Sequence, residues 1–160
     1  FPAGVCEGAN VHAAAFDPAA VTEDASHAWL AGDGALPPAH GETRPLDAPE
    51  TKSVAYSWCK APRYGGRVVE TGALARQLLA GQPLAVDLVA THGGSVLARI
   101  AARMIEVARV LPAMEGWLRA IEPGAPFCAE WLAPKSAQGV GLVEAARGTL
   151  GHWLKIEQGR

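Results

Sequence analysis

No two cysteines of this 160-residue chain stand close together; Cys6, Cys59 and Cys128 are its only three. An odd number at such spacing excludes a disulfide framework and a zinc pattern, and a reducing compartment is the simpler reading. An excess of one charge is also lacking. Lys and Arg number 14 against 16 Asp and Glu, a formal net charge of −2. That balance gives no electrostatic reason to expect nucleic acid or direct contact with an anionic membrane. No apolar run approaches the length of a membrane-crossing helix, and no basic leader followed by an apolar core marks a signal peptide. No Gly-rich loop precedes a helix in a P-loop or dinucleotide pattern, and no basic stripe is interleaved with aromatics.

What is present describes a globular segment. Hydrophobic residues make up 49%, and Gly and Pro number 18 and 12, above their average share. Long irregular loops between regular elements are expected rather than disorder, because five Trp and many aliphatics need burial. The length suffices for one domain with a sizeable core. The chain begins with Phe1 and ends in Ile156-Glu157-Gln158-Gly159-Arg160. This is read as a piece of a larger protein, ending in half of a hairpin that awaits its partner.

Residues 1–50 are rich in Gly, Pro and Ala and are expected to be mostly loop with short strands, with one helical turn near Asp17–Thr22. Residues 52–64 read as a strand, since Val54, Tyr56 and Trp58 alternate with Ser53, Ala55 and Ser57; Pro62 should end its ladder. Glu70-Thr71-Gly72 leads into a helix of about ten residues with Leu74, Leu78 and Leu79 on one face, stopped near Gly81. The strongest signal spans Ser95 to Glu122. Leu97, Ile100, Met104, Val107, Leu111, Met114, Leu118 and Ile121 recur at alternating threes and fours, one stripe of a helix. Ser95 is its expected N-cap, and Pro112 predicts a kink or a break into two helices. The stripe reads as a bundle seam, with both Met as gap-fillers. Glu115 stands four residues before Arg119, favourable for a pair. After a connection over 123–138, residues 139–157 read as a hairpin turning at Gly148–Gly151, with His152, Leu154 and Ile156 on one face. The fold class is mainly α with small β elements, an α+β fold.

Several polar residues have plain structural readings. Lys60, Arg63 and Arg76 are expected to pair at the strand-to-helix junction, Glu144 to be an exposed strand residue, His152 a satisfied interior histidine, and Cys59 a small buried apolar group. From spacing alone Arg147 is a strand arginine on a solvated hairpin.

Four blocks stand in order along the chain: Gly41-Glu42-Thr43-Arg44-Pro45, then Ser57-Trp58-Cys59-Lys60-Ala61-Pro62-Arg63-Tyr64, then Glu70-Thr71-Gly72-Ala73-Leu74-Ala75-Arg76, and finally Glu144-Ala145-Ala146-Arg147-Gly148-Thr149-Leu150-Gly151-His152. Together they resemble the large subunit of nickel–iron hydrogenases. The Arg-bearing helix with Arg99 and Arg103 matches in character. Ala73 and Ala146 stand where that family has proline; the first change costs little at a helix start, and the second, on this resemblance, would make the wall around the metal site less rigid.

The resemblance implies a helical core with a C-terminal β-hairpin. Residues 1–160 would be part of one larger domain, made of a loop-rich 1–50, a strand and core helices over 52–122, and the hairpin at 139–157. It implies the catalytic large subunit of an uptake-type enzyme that oxidises dihydrogen reversibly to protons and electrons. Arg147 would be catalytic, and Ala145, Ala146 and Arg147 would wall the metal site. A guanidinium suits such a position because it stays charged and has no lone pair to ligate a metal. The cofactor implied is a NiFe(CN)2(CO) centre whose cysteine thiolates lie outside this chain, so no residue here is a metal ligand and the piece alone is expected to be inactive. The implied partners are an iron–sulfur small subunit and dihydrogen, with a cytoplasmic location or membrane association through partner subunits. A hydrogen-sensing subunit and a non-catalytic complex I-like homologue, structural or quinone-binding, are the alternatives.

Overall fold

The computed structural model describes residues 4–8, 10–12, 16–32, 34–40, 43–48, 51–128, 132, 134–145 and 148–160. The α+β fold expected from the sequence is present, with about 34% helix and 29% strand. The first 50 residues hold short strands in loops: β1 (Val5–Glu7), β2 (Asn10–His12), β3 (Val21–Asp24) and β4 (Ala35–Leu36). Pro18–Ala20 form one 3-10 turn, capped by the Asp17 side chain accepting from the Ala19 N–H; the chain then turns directly into β3.

The expected strand over 52–64 is shorter and later than the alternation suggested. β5 is Ala61–Tyr64 and includes Pro62. Its antiparallel partner is β3, in the order β4-β3-β5. Pro62 therefore lies on an edge strand, where a missing N–H is tolerated. Residues 52–60 instead form turns, and Val54, Tyr56 and Trp58 are exposed. Lys52 organises this region: its Nζ donates to the carbonyls of Ala25, Leu30 and Gly32 at 2.9, 3.1 and 2.9 Å.

Three helices follow. α1 (Ala73–Leu79) buries Leu74 and Leu78 and ends before Gly81, whose φ of +62° is the left-handed conformation that stops helices. α2 (Pro83–His92) was not expected from the sequence. Its signals are local: Gln82 accepts from the Ala85 N–H, and Pro83 occupies the first turn. α3 (Val96–Arg119) begins at Ser95, whose hydroxyl caps the Ala98 N–H, and continues through Pro112 as one helix rather than two.

The α3 stripe does not form this chain's core. All eight residues are exposed, from 47% at Met114 to 67% at Met104. At 3.6 residues per turn, Ala98, Ala102, Glu106 and Arg109 lie on nearly the opposite side, and that side meets α1. Ala98 and Ala102 are fully buried in a cluster with Cys6, Ala73, Leu74, Ala75, Leu78, Ala85 and Val89. Small residues let the helices approach closely; beyond them Glu106 pairs with Arg76, and Arg109 donates to the Gln77 side-chain oxygen at 2.8 Å. Among the described residues the Trp side chains are not core either: Trp29 and Trp153 are half-buried, and Trp58 and Trp117 are exposed.

The chain closes in a hairpin longer than expected, β6 (Ser136–Ala145) with β7 (Gly148–Glu157), registered from Ser136↔Glu157 to Ala145↔Gly148. Gly148–Gly151 therefore belong to the strand and not to the turn. The run ending at Glu157 is already paired with β6. Gly151 carries the Trp153 ring over its missing side chain, a common remedy for glycine in a strand.

Candidate functional site

A cleft of about 870 Å³ opens where the β3–β5 sheet, α1 and the hairpin converge, with Tyr64, Glu70, Arg76, Glu144, Leu150 and Trp153 on its walls. Its charged groups come as pairs. Lys60 Nζ meets Glu23 Oε2 at 2.9 Å and Arg63 Nη2 meets Asp24 Oδ2 at 3.1 Å. Arg76 forks onto Glu106, with Nε to Oε1 and Nη2 to Oε2 both at 2.6 Å. The pairing expected of Lys60, Arg63 and Arg76 is present, but it joins β5 to β3 and α1 to α3 rather than the strand to the helix. The Arg76 hydrogen bonds hold the Glu106 carboxyl below its ordinary pKa, against the opposing effect of burial, and raise Arg76 in return.

Glu144 is not the exposed residue expected. Its Oε1 accepts from the Gly72 N–H at 2.6 Å, and its Oε2 pairs with Arg76 Nη1. Sequence reasoning missed this because the contact joins residues 72 positions apart. His152 is exposed rather than interior, and Cys59 is exposed rather than buried. Cys6 is buried, with its Sγ donating to the Ala75 carbonyl at 3.6 Å; burial, then the charge of Glu70, push its thiol pKa up.

Arg147 and Ala146 lie outside the described residues, as do Gly41 and Glu42 of the first block. Ala145 ends β6, paired with Gly148. Among the described residues no group of three or more His, Cys, Asp and Glu could hold a metal ion. No described helix is long and apolar enough to cross a membrane.

The family model for nickel-dependent hydrogenase matches residues 1–160. The chain belongs to the nickel-dependent hydrogenase family. The periplasmic [NiFeSe] hydrogenase large subunit of Desulfomicrobium baculatum is 34% identical over 161 residues, covering 89% of this chain and 31% of that subunit. The uptake hydrogenase large subunit of Rhodobacter capsulatus is 32% identical, covering 90% and 31%. The solved Ni-Fe-Se hydrogenase of D. vulgaris Hildenborough superposes with a TM-score of 0.77 at 32% identity, over 98% of this chain and 36% of that one. The chain thus spans about a third of the length of these hydrogenases.

Proposed function

We propose that these residues are part of the catalytic large subunit of an uptake-type nickel–iron hydrogenase, which oxidises dihydrogen reversibly to protons and electrons. The match to the family over residues 1–160 carries this reading. The exposed α3 stripe supports it, because seven large apolar side chains along one helix, with Ile121 just past its end, are covered in a stable subunit. The other two-thirds of such a subunit would provide that cover. The NiFe(CN)2(CO) centre would be held by cysteine thiolates outside these residues, soft ligands suited to both metals. Electrons would pass to an iron–sulfur small subunit. Arg147 is the proposed catalytic residue, with Ala145 and Ala146 beside it forming the wall of the metal site. Its fixed positive charge would stabilise charge that develops as dihydrogen is split. The location read from the sequence is cytoplasmic or membrane-associated through partners; the periplasmic naming of the D. baculatum relative favours a test by fractionation.

The experiment is to express the complete subunit with its small subunit and measure nickel and dihydrogen-dependent dye reduction. Stoichiometric nickel with turnover is expected, and loss of turnover in Arg147→Lys. Absence of nickel from the assembled complex overturns the reading. The 160-residue chain alone is expected to bind no nickel and to be inactive.

A further inference from the structure

We propose that the outer edge of β7 is the docking edge for the stretch of the same subunit that directly follows Arg160, which adds a third antiparallel strand to the hairpin. The inference goes beyond the catalytic reading and does not depend on it.

The chain has already reversed direction at the end of β7. Gln158 and Gly159 have φ of +53° and +78°. Two successive left-handed residues make a two-residue type I′ hairpin turn, whose twist matches that of the strands it joins. Glu157 and Arg160 flank the turn and exchange both backbone hydrogen bonds. The Glu157 N–H donates to the Arg160 carbonyl at 2.8 Å, and the Arg160 N–H donates to the Glu157 carbonyl at 3.0 Å. Such a reciprocal pair is one rung of an antiparallel ladder. Gln158 is the one non-glycine with a positive φ among the described residues. That conformation is uncommon for a residue with a side chain and persists where the surrounding structure over-determines it. A ladder continuing past the turn does so.

The same rung identifies the edge. Among the described residues β7 pairs only with β6, in a sheet of two strands. Successive residues of an antiparallel strand turn their N–H and C=O to alternate sides. Glu157 turns both toward Arg160, so Lys155 and Trp153 present theirs along that outer edge, while Ile156 and Leu154 face β6. β7 is ten residues long and contains no proline. Native proteins cover or interrupt an edge of that kind. The turn also sets the register: the residue after Arg160 falls opposite Ile156, and the next opposite Lys155. Two strands are marginal alone, whereas three with a packed face are stable. The third strand would brace the cleft wall that Leu150 and Trp153 line.

The test uses the complete subunit assembled with its small subunit, and reads amide hydrogen exchange residue by residue along β7. Trp153 and Lys155 should be protected to within about threefold of Leu154 and Ile156. Gly159→Val puts a branched side chain at a positive φ and should break the turn. Protection at Trp153 and Lys155 should then fall about tenfold or more, with Leu154 and Ile156 little changed. Gln158→Asn, a residue better suited to the left-handed region, should slow exchange at Trp153 and Lys155 alone. Unprotected Trp153 and Lys155 in the wild type overturn the inference. So does protection that survives Gly159→Val, which would mean that another segment or the small subunit covers the edge. If Gly159→Val exposes all four amides together, Gln158→Asn decides: selective slowing sustains the third strand, and no change overturns it. Nickel content of the same preparations is read separately, so failure of the hydrogenase reading leaves these amides to decide the strand.

Discussion

Glu70 and Arg99 form a two-pronged ion pair across 29 positions of the chain, Nε to Oε1 at 2.9 Å and Nη2 to Oε2 at 2.6 Å. Glu70 opens the segment leading into α1, and Arg99 lies in the first turn of α3. The planar fork of the guanidinium matches the carboxylate, so the pair sets both distance and angle. Glu70→Gln keeps the shape but loses the charge, and should cost about 1–2 kcal/mol of unfolding free energy in the complete subunit. Arg99→Lys should not recover the loss, because an ammonium cannot form the fork. Urea unfolding of the two variants measures both effects.

Acid should weaken the α1–α3 contact through Glu106. Hydrogen bonds from Arg76, more than its charge, hold the folded-state pKa of Glu106 below the ordinary 4.5. A depressed carboxylate pKa means that the unfolded chain binds more protons at acidic pH. The contribution is therefore fully present above about pH 4.5 and is lost as the pH falls through the lower folded value. Asp24, lowered by its hydrogen bonds with Ser26 and then by the charge of Arg63, acts in the same direction. Urea midpoints between neutral pH and pH 3 should fall in the wild type and fall less steeply in Glu106→Gln.

The apolar face of α3 should behave oppositely in the isolated chain and in the complete subunit. Leu111 is 59% exposed here, so Leu111→Lys should change the stability of the 160-residue chain by less than about 0.5 kcal/mol and should reduce its self-association. In the complete subunit the same change should cost about 2 kcal/mol or more, since it would bury an unpaired charge. Sedimentation and thermal unfolding of the two forms test the contrast. Equal effects in both would place the stripe on a free surface.

The three cysteines should react unequally. Cys59 and Cys128 are exposed, whereas Cys6 is buried with its thiol pKa raised. The thiolate is the reactive species, so burial and a raised pKa both slow the reaction. Alkylation of the folded chain near pH 8 should label Cys59 and Cys128 first, with Cys6 following only on denaturation. Peptide mass spectrometry reads the order.

Local signals in the sequence were reliable where a local cause acts. The Ser95 cap, the α3 periodicity, the Gly81 stop and the 139–157 alternation each depend on neighbours within a few residues, and each is present. α2 carries the same kind of signal in Gln82-Pro83, weaker than that of its neighbour. The 52–60 alternation misled, because period-two spacing describes a possible strand without supplying a partner for its ladder. β3 pairs instead with residues 61–64. Site residues divide the same way. Lys60, Arg63 and Arg76 could be read as pairing groups from their density at a junction, whereas nothing near Glu144 announces Gly72.

Family membership and the order of the elements rest on the amino-acid sequence, since motifs and periodicities need only chain order. Orientation does not. The spacing on α3 establishes an apolar stripe but cannot say which body covers it, because burial depends on what else is folded nearby. Here Ala98 and Ala102 face α1 while Leu111 and Met104 face outward. The same holds for Glu144, whose carboxylate has a role only once folding brings α1 within 2.6 Å of it.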